Sequence, residues 1–192
     1  MTIAERRPYD IDSLTGVALR VFAERGYDGA SMDDVARAAG ITKAAIYHHV
    51  AGKEALLERG LDRALGALFT ILNEPGAVRG PAIGRLRYVV RRVAELALRL
   101  VPELTVLVRV RGNSEAERRA LEKRRTFDAR TASLVREAQL EGDLDATIDP
   151  ALYARIVLGA CNSLVEWYRS DGSLTPETIA DALVRIVLAP RS

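Results

Sequence analysis

Apolar residues recur at the spacing of an α-helix along most of the chain, and this periodicity restricts the fold more than any other feature. In the first example, Leu14, Val17, Ala18, Val21 and Phe22 lie at i, i+3, i+4, i+7 and i+8 and form one stripe on a helix. The alternation of apolar and polar residues that is typical of a half-buried strand is almost absent. The sequence therefore predicts an all-α fold of about nine helices.

Capping residues and glycines divide the first third of the chain into short helices. The first helix is predicted to begin at residues 11–13 and to end at Gly26. The second begins after Ser31, which has Asp34 three residues later in a variant of the capping box. Thr42 is the predicted N-cap of a third helix that reaches Val50, and a long fourth helix follows to residue 73.

Longer helices are predicted in the remaining two thirds of the chain. Residues 74–81 (EPGAVRGP) form a predicted loop because glycine and proline are concentrated there. No internal repeat or low-complexity tract is present. Helices are predicted over residues 83–100, 102–112, 114–140, 151–169 and 175–188.

Composition excludes several classes of protein. The 48% of apolar residues can form a real core, and a net charge of only +2 means that any case for nucleic-acid binding must be local. The single cysteine, Cys161, cannot form an internal disulfide, which fits a reducing compartment. The N-terminal MTIAERRPYD contains no apolar leader and the apolar runs are too short to cross a bilayer, so we expect a cytoplasmic protein.

Both histidines of the chain lie in one stretch, GITKAAIYHHVAGKEAL, at residues 40–56. His48 and His49 project about 100° apart on a helix, so they cannot both bind one ion, and no cysteine or third histidine completes a zinc site. No nucleophile or pair of carboxylates lies at a recognisable spacing around them, and Cys161 lies in an apolar run typical of a core. We therefore predict no metal site, no catalytic site and no cofactor.

The faces of the third helix suggest a different use. Lys43, Ala44, Tyr47 and His48 fall on one side of it, and Ala45, Ile46, His49 and Val50 fall on the other. A lysine in the first turn, a hydroxyl one turn later and a small residue between them suit a helix that enters the DNA major groove. With the short helix and tight turn before it, this pattern predicts a helix-turn-helix, in which Lys53 and Ser31 add phosphate contacts. A three-helix core with merely solvated polar residues remains the alternative.

The run from Val17 to Leu57, VALRVFAERGYDGASMDDVARAAGITKAAIYHHVAGKEALL, closely resembles the N-terminal DNA-binding domain of the TetR family of bacterial transcriptional regulators. The resemblance implies a helix-turn-helix domain at residues 1–52 and a helical ligand-binding and dimerisation domain at 53–192. Val50 and the Ala-Gly pair at 51–52 depart from the usual aromatic residue and Ser or Asn. The resemblance implies that operator phosphates or bases are contacted by Ser31, Thr42, Lys43, Tyr47, His48 and Lys53, with Ala44 packed close to the groove.

The same resemblance implies that the last two helices pair with those of a second copy in a four-helix dimer interface. Apolar and small residues form a stripe on each of these helices, and small side chains permit a close approach. Packing of these stripes within a single protomer is the alternative. The predicted interface consists of Ile156, Ala160, Ser163, Leu164, Ile179, Leu183, Ile186 and Val187.

An effector pocket is expected between the middle helices, because members of the family bind an inducer in the larger domain and release palindromic operator DNA. Arg92, Arg109 and Arg111 could recognise an acidic group, although solvated arginine is the alternative for each. Each apolar wall could equally be plain core. The predicted pocket consists of Val89, Arg92, Val93, Leu96, Leu104, Leu107, Val108, Phe127, Cys161 and Trp167.

The closing segment, NSLVEWYRSDGSLTPETIADALV, is similar to TetR members that control the breakdown of lipids, sterols or aromatic acids, some of which sense CoA thioesters. We therefore expect a ligand-responsive regulator, most simply a repressor, whose inducer is small and largely apolar. Two other classes remain open at this point. One is a helical carrier or enzyme without DNA binding, and the other is a DNA-binding structural protein that responds to no metabolite.

Overall fold

The computed structural model describes residues 10–189 as an all-α protein, with no strand in this part of the chain. Of the N-terminal MTIAERRPYD, only Asp10 is among the described residues. The predicted domains, 1–52 and 53–192, include residues 1–9 and 190–192, which lie outside the described part of the chain. The helices are α1 (Ile11–Arg25), α2 (Met32–Ala39), α3 (Lys43–Tyr47), α4 (Lys53–Ile71), α5 (Pro75–Val78), α6 (Ala82–Arg99), α7 (Val101–Arg109), α8 (Glu115–Leu140), α9 (Pro150–Trp167) and α10 (Pro176–Val187).

The described residues contain ten helices where the sequence predicted about nine. The additional helix is α5, a single turn in the segment that was predicted as a loop. Pro75 occupies its first turn, where the fixed φ of proline suits a helix and the missing N–H is not needed. Ala77 is buried, and a side chain at Gly76 would collide with the ring of Tyr88, so close packing against α6 holds this turn in place.

Side-chain caps begin the short helices as the sequence predicted. The Ser31 hydroxyl accepts the N–H of Asp34 at 3.1 Å, and Asp34 Oδ2 accepts the N–H of Ser31 at 3.0 Å, which completes a capping box. The Thr42 hydroxyl accepts the N–H of Ala45 at 3.2 Å at the start of α3. These local bonds fix where α2 and α3 begin.

One continuous apolar core joins all the longer helices. The first helix packs against α2, α4 and α7, so it contacts both the small N-terminal helices and the larger helical part. Leu14, Leu19 and Phe22 are almost fully buried there, and a side chain at Gly60 would overlap Leu19, which brings α1 and α4 close together. Farther along, α6 lies between α8, α9 and α10.

No helix within residues 10–189 is both long enough and apolar enough to cross a membrane.

Candidate DNA-binding and dimer interfaces

A tight turn at residues 40–42 joins α2 to α3. Gly40 has φ 66° and ψ 29°, the left-handed conformation that favours glycine, and its N–H donates to the carbonyls of Ala36 and Arg37. Two residues later Thr42 caps α3, and the fully buried Ile46 anchors that helix to the core. The arrangement is a helix-turn-helix with α3 in the position of the recognition helix.

The solvent-facing side of α3 contains the side chains that were predicted to contact DNA. Thr42, Lys43, Ala44 and His48 are exposed, and Tyr47 is 49% exposed. No acidic residue occurs between residues 38 and 53, and the carboxylate beside Lys43 comes from Asp33 on α2. The surface can contact both the phosphates and the base edges of a duplex.

His49 corrects the predicted division of faces. It was placed on the inward side with Ala45, Ile46 and Val50, but it is exposed. The regular helix ends at Tyr47 rather than at Val50, and the N–H groups of His49 and Val50 both donate to the carbonyl of Ile46 in a turn. The rotation of about 100° per residue in a regular helix therefore does not predict the direction of the His49 side chain.

Two of the predicted phosphate-binding groups have partners within the protein. Lys43 Nζ lies 2.9 Å from Asp33 Oδ2, and this hydrogen bond raises the pKa of Lys43. The Ser31 hydroxyl donates to Asp34 at 2.6 Å, and this bond is the main reason that the pKa of Asp34 falls to about 2. Asp33 lies in the first turn of α2, ten residues before Lys43, and the fold brings the two side chains together.

Lys53 lies at the beginning of α4 and is half-buried. Its ammonium donates to the carbonyls of Tyr27 (2.8 Å) and Ala30 (2.9 Å) and lies 4.3 Å from the centre of the Tyr27 ring. The structure therefore places Lys53 against the turn between α1 and α2.

Most of the predicted effector-pocket residues lie in the common core. Two of them, Arg92 and Leu96, line a cavity of about 320 Å³ between α4 and α6, together with Ala67, Thr70, Ile71, Glu74 and Arg99. Val108 is half-buried on α7. Six others are buried: Val89, Val93, Leu104, Leu107, Phe127 and Cys161.

The three arginines considered for an acidic ligand have different surroundings. Arg92 donates twice to Glu74 (2.9 and 3.1 Å) and once to Glu95 (2.7 Å), and the first of these carboxylates is the main cause of its raised pKa. Arg109 donates to the carbonyl of Ala23 at 2.7 Å and lies 3.4 Å from Glu166. Arg109 and the exposed Arg111 line a cavity of about 280 Å³ between α7 and the turn that joins α1 to α2.

Trp167 belongs to a different surface from the other predicted pocket residues. This residue is 52% exposed and lines an apolar groove of about 340 Å³ between α9 and α10. Ile156, on the same side of α9, and Ile186 on α10 are also well exposed. The groove is lined by Ala160, Ser163, Leu164, Trp167, Leu174, Thr178, Ile179, Ala182, Leu183, Ile186 and Val187.

The predicted interface residues divide into two groups in the structure. Leu164, Ile179 and Leu183 are buried within the protomer and form the floor of the groove. Ser163 and Ile186 face outward, with Ala160 and Val187 partly covered. The sequence analysis missed Leu174, Thr178 and Ala182. The spacing from Thr178 through Ala182 to Ile186 is one helical stripe that could have revealed Thr178 and Ala182, whereas Leu174 precedes α10.

Within the described part of the chain, no three His, Cys, Asp or Glu residues are grouped so that they could hold a metal ion. Cys161 is fully buried with Sγ 3.9 Å from the carbonyl of Val90, and burial raises the pKa of its thiol to about 12. The thiol is therefore protonated at neutral pH and forms part of the core.

Family comparisons agree with this geometry. Residues 14–59 match the model described as "Bacterial regulatory proteins, tetR family", and residues 79–190, more than half of the chain, match "Tetracyclin repressor-like, C-terminal domain". The chain therefore belongs to the TetR family of bacterial regulatory proteins. The predicted family and all-α fold are confirmed.

Individual relatives cover nearly the whole chain. A member of the TetR transcriptional regulator family from Streptomyces coelicolor A3 is 47% identical, with a TM-score of 0.87 over 98% of this chain and 94% of that one. AibR in complex with isovaleryl coenzyme A and operator DNA is 25% identical, with a TM-score of 0.81 over 94% and 99%. The transcriptional repressor KstR2 of Rhodococcus jostii (strain RHA1) is 27% identical over 183 residues, 91% of this chain and 87% of that protein.

Proposed function

We propose that the protein is a homodimeric transcriptional repressor that binds a palindromic operator through α3 of each protomer and releases it when an effector binds. The exposed face of α3, held by the Thr42 cap and the buried Ile46, is the observation that carries this proposal. Support also comes from KstR2, a repressor, and from AibR, which binds operator DNA. The relatives are regulators, and the proposal includes no catalytic step and no cofactor.

The proposed DNA contacts are made by Thr42, Lys43, Ala44, Tyr47 and His48, with the Ser31 hydroxyl at the start of α2. Lys43 can exchange Asp33 for a phosphate because both side chains are exposed and their ion pair contributes little in water. Residues 1–52 form the proposed DNA-binding domain and 53–192 the ligand-binding and dimerisation domain. The proposal implies a cytoplasmic protein, because the operator DNA of a bacterium lies in the cytoplasm.

The groove between α9 and α10 is the proposed dimer interface. A second copy related by a twofold axis covers the exposed Ile156, Trp167 and Ile186 with the same residues of its own groove. Two recognition helices about 34–36 Å apart, or a multiple of that distance, then read two half-sites of a palindrome. Two weak half-site contacts combine through effective concentration, so the modest charge of each α3 suffices.

The proposed effector is a largely apolar metabolite carried as a CoA thioester. Support comes from AibR, whose structure contains isovaleryl coenzyme A. In this chain the cavity between α4 and α6 has apolar walls at Ala67, Ile71 and Leu96, and its lining includes the predicted pocket residue Arg92. Effector binding there releases DNA only if it favours a conformation in which the distance between the two α3 helices of the dimer does not match the operator. A coupling free energy of about 1–3 kcal/mol between the two sites changes the affinity for DNA about 5- to 150-fold.

The DNA-binding proposal is tested with a duplex selected by the protein from random sequence. We expect salt-dependent binding of a palindrome, weakened in Lys43→Ala and Tyr47→Phe variants. Arg136→Ala is the control, because it removes one positive charge from an exposed position on α8, outside the proposed interface. Equal losses in all three variants, or no binding at low salt, would contradict the proposal.

The effector proposal is tested by mass spectrometry of compounds released from the purified protein. We also expect acyl-CoA thioesters of suitable chain length to raise Tm and to release the selected duplex. A flat response across the chain-length series would remove this effector class without affecting the DNA-binding proposal.

A further inference from the structure

An ion pair joins the first turns of α2 and α3. Lys43 Nζ lies 2.9 Å from Asp33 Oδ2, and the two side chains are 47% and 59% exposed. The adjacent carboxylate, Asp34, serves a different purpose, because it accepts hydrogen bonds from Ser31 and pairs with Arg25. Of these two neighbouring acids, Asp33 is therefore the one that faces the recognition helix.

The pair lies at the end of α3 that a helix-turn-helix presents to base edges. Lys43 is the first residue of α3, and the N-terminal residues of a recognition helix contact bases in the major groove. A lysine ammonium has three N–H donors, so two remain when one faces Asp33. The carboxylate only accepts, and it has further lone pairs. The intact pair therefore presents donors and an acceptor side by side.

This arrangement complements the major-groove edge of one G·C base pair. Guanine presents N7 and O6 as acceptors there, and cytosine presents the N4 amino group as a donor. O6 and N4 are hydrogen-bonded to each other, so they lie about 2.9 Å apart. The Lys43 and Asp33 atoms have the same separation, 2.9 Å. Lys43 can donate to O6 and N7 while Asp33 accepts from N4.

An A·T base pair fits the same two side chains less well. Its N6 donor and O4 acceptor are also neighbours, so Asp33 could face N6 and Lys43 could face O4. The carboxylate then also meets adenine N7, which is an acceptor, and the ammonium meets the thymine methyl group. Both side chains therefore favour G·C over A·T.

We propose that Asp33 is a specificity-determining residue, which together with Lys43 reads one G·C base pair in each half-site of the operator. This inference rests on the proposed function, because α3 must enter the major groove for the pair to reach a base. The competing outcome is that Lys43 leaves Asp33 for a phosphate. Asp33 then stands unpaired beside the DNA and weakens the binding of every duplex alike.

The experiment replaces each base pair of the selected palindrome in turn and measures the affinity of the native protein and of three variants. Asp33→Ala removes the acceptor and Lys43→Met removes the donors. Asp143→Ala is the control, because it removes an exposed carboxylate just beyond the C-terminal end of α8.

We expect one G·C position at which the native protein discriminates against A·T in either orientation by at least about fivefold, the lower end of the range for a good base contact. Asp33→Ala and Lys43→Met should both lose discrimination at this position and keep it elsewhere, whereas Asp143→Ala should keep it everywhere. The absence of a G·C position that responds to both variants overturns the proposal. So does an Asp33→Ala variant that binds all duplexes more tightly by the same factor.

A second measurement uses the native protein and does not depend on the folding of a variant. N4-methylcytosine at the identified position keeps the Watson–Crick pair, but a methyl group replaces the N–H that Asp33 accepts. We expect the native protein to lose at least about fivefold in affinity and Asp33→Ala to bind both duplexes alike. A native protein that is indifferent to this methyl group overturns the reading of cytosine by Asp33. Native protein that selects and binds no duplex contradicts the proposed function instead.

Discussion

Replacement of Ile186 by alanine should dissociate the proposed dimer. This residue projects from α10 into the apolar groove, and 77% of it is exposed in the isolated protomer. Alanine lacks three of the carbon atoms of isoleucine, each contributing about 0.8 kcal/mol when buried. Scaled to the exposed 77%, the loss is about 1.8 kcal/mol for each protomer.

A twofold interface contains the residue twice, so the variant dimer loses about 3.7 kcal/mol. This corresponds to a rise in the dissociation constant on the order of several hundredfold. Sedimentation velocity over a dilution series measures that constant directly. Trp167, the only tryptophan, lines the same groove, so its emission should move to longer wavelength as the dimer dissociates.

Leu140→Ala is the matched control for this substitution. Leu140 is a large apolar residue with 82% exposure, but it lies at the end of α8 and outside the groove. We expect the Leu140→Ala variant to dimerise as the native protein does. Equal dissociation constants for the two variants, or a Trp167 emission that is independent of protein concentration, would refute the assignment of this groove.

Three further outcomes follow from the structure. The pKa of Asp34 falls to about 2 from 3.8, so its stabilising effect is complete above about pH 5 and is lost as pH falls through about 2. Urea unfolding should show a smaller loss of stability over that range for Asp34→Asn than for the native protein. The Cys161 thiol, with a pKa of about 12, should react with a thiol reagent at pH 8 only after denaturation, which absorbance can follow. The ion pair of Glu58 with Arg119, at 2.6 Å, lies at the surface, so a double-mutant cycle of unfolding should give a small coupling that falls with added salt.

Local chemistry explains why the start and end of α2 and the start of α3 could be predicted. Ser31, Thr42 and Gly40 act through hydrogen bonds to residues within five positions, so the sequence itself contains both partners. The helix α5 escaped prediction because its single turn depends on packing against Tyr88, twelve residues beyond Gly76. Propensity alone does not specify a four-residue helix.

Hydrophobic periodicity predicts which face of a helix avoids water, but it does not predict which other helix packs on that face. On α10 the predicted stripe contains Ile179 and Leu183, which pack in the protomer, and Ile186, which is exposed. A hydrophobic stripe shows only that a face avoids water, and a second helix of the same chain satisfies it as well as a second copy. The individual DNA, pocket and interface residues therefore stay predictions until the variants are measured.

The first turn of α4 contains two neighbouring residues that hold different parts of the protein. Lys53 donates to the α1–α2 turn, while Glu54 accepts the N–H of Ala116 at 3.4 Å in the first turn of α8. Adjacent residues on a helix project about 100° apart, so one turn can reach both. A rotation of α4 therefore cannot keep both contacts unchanged.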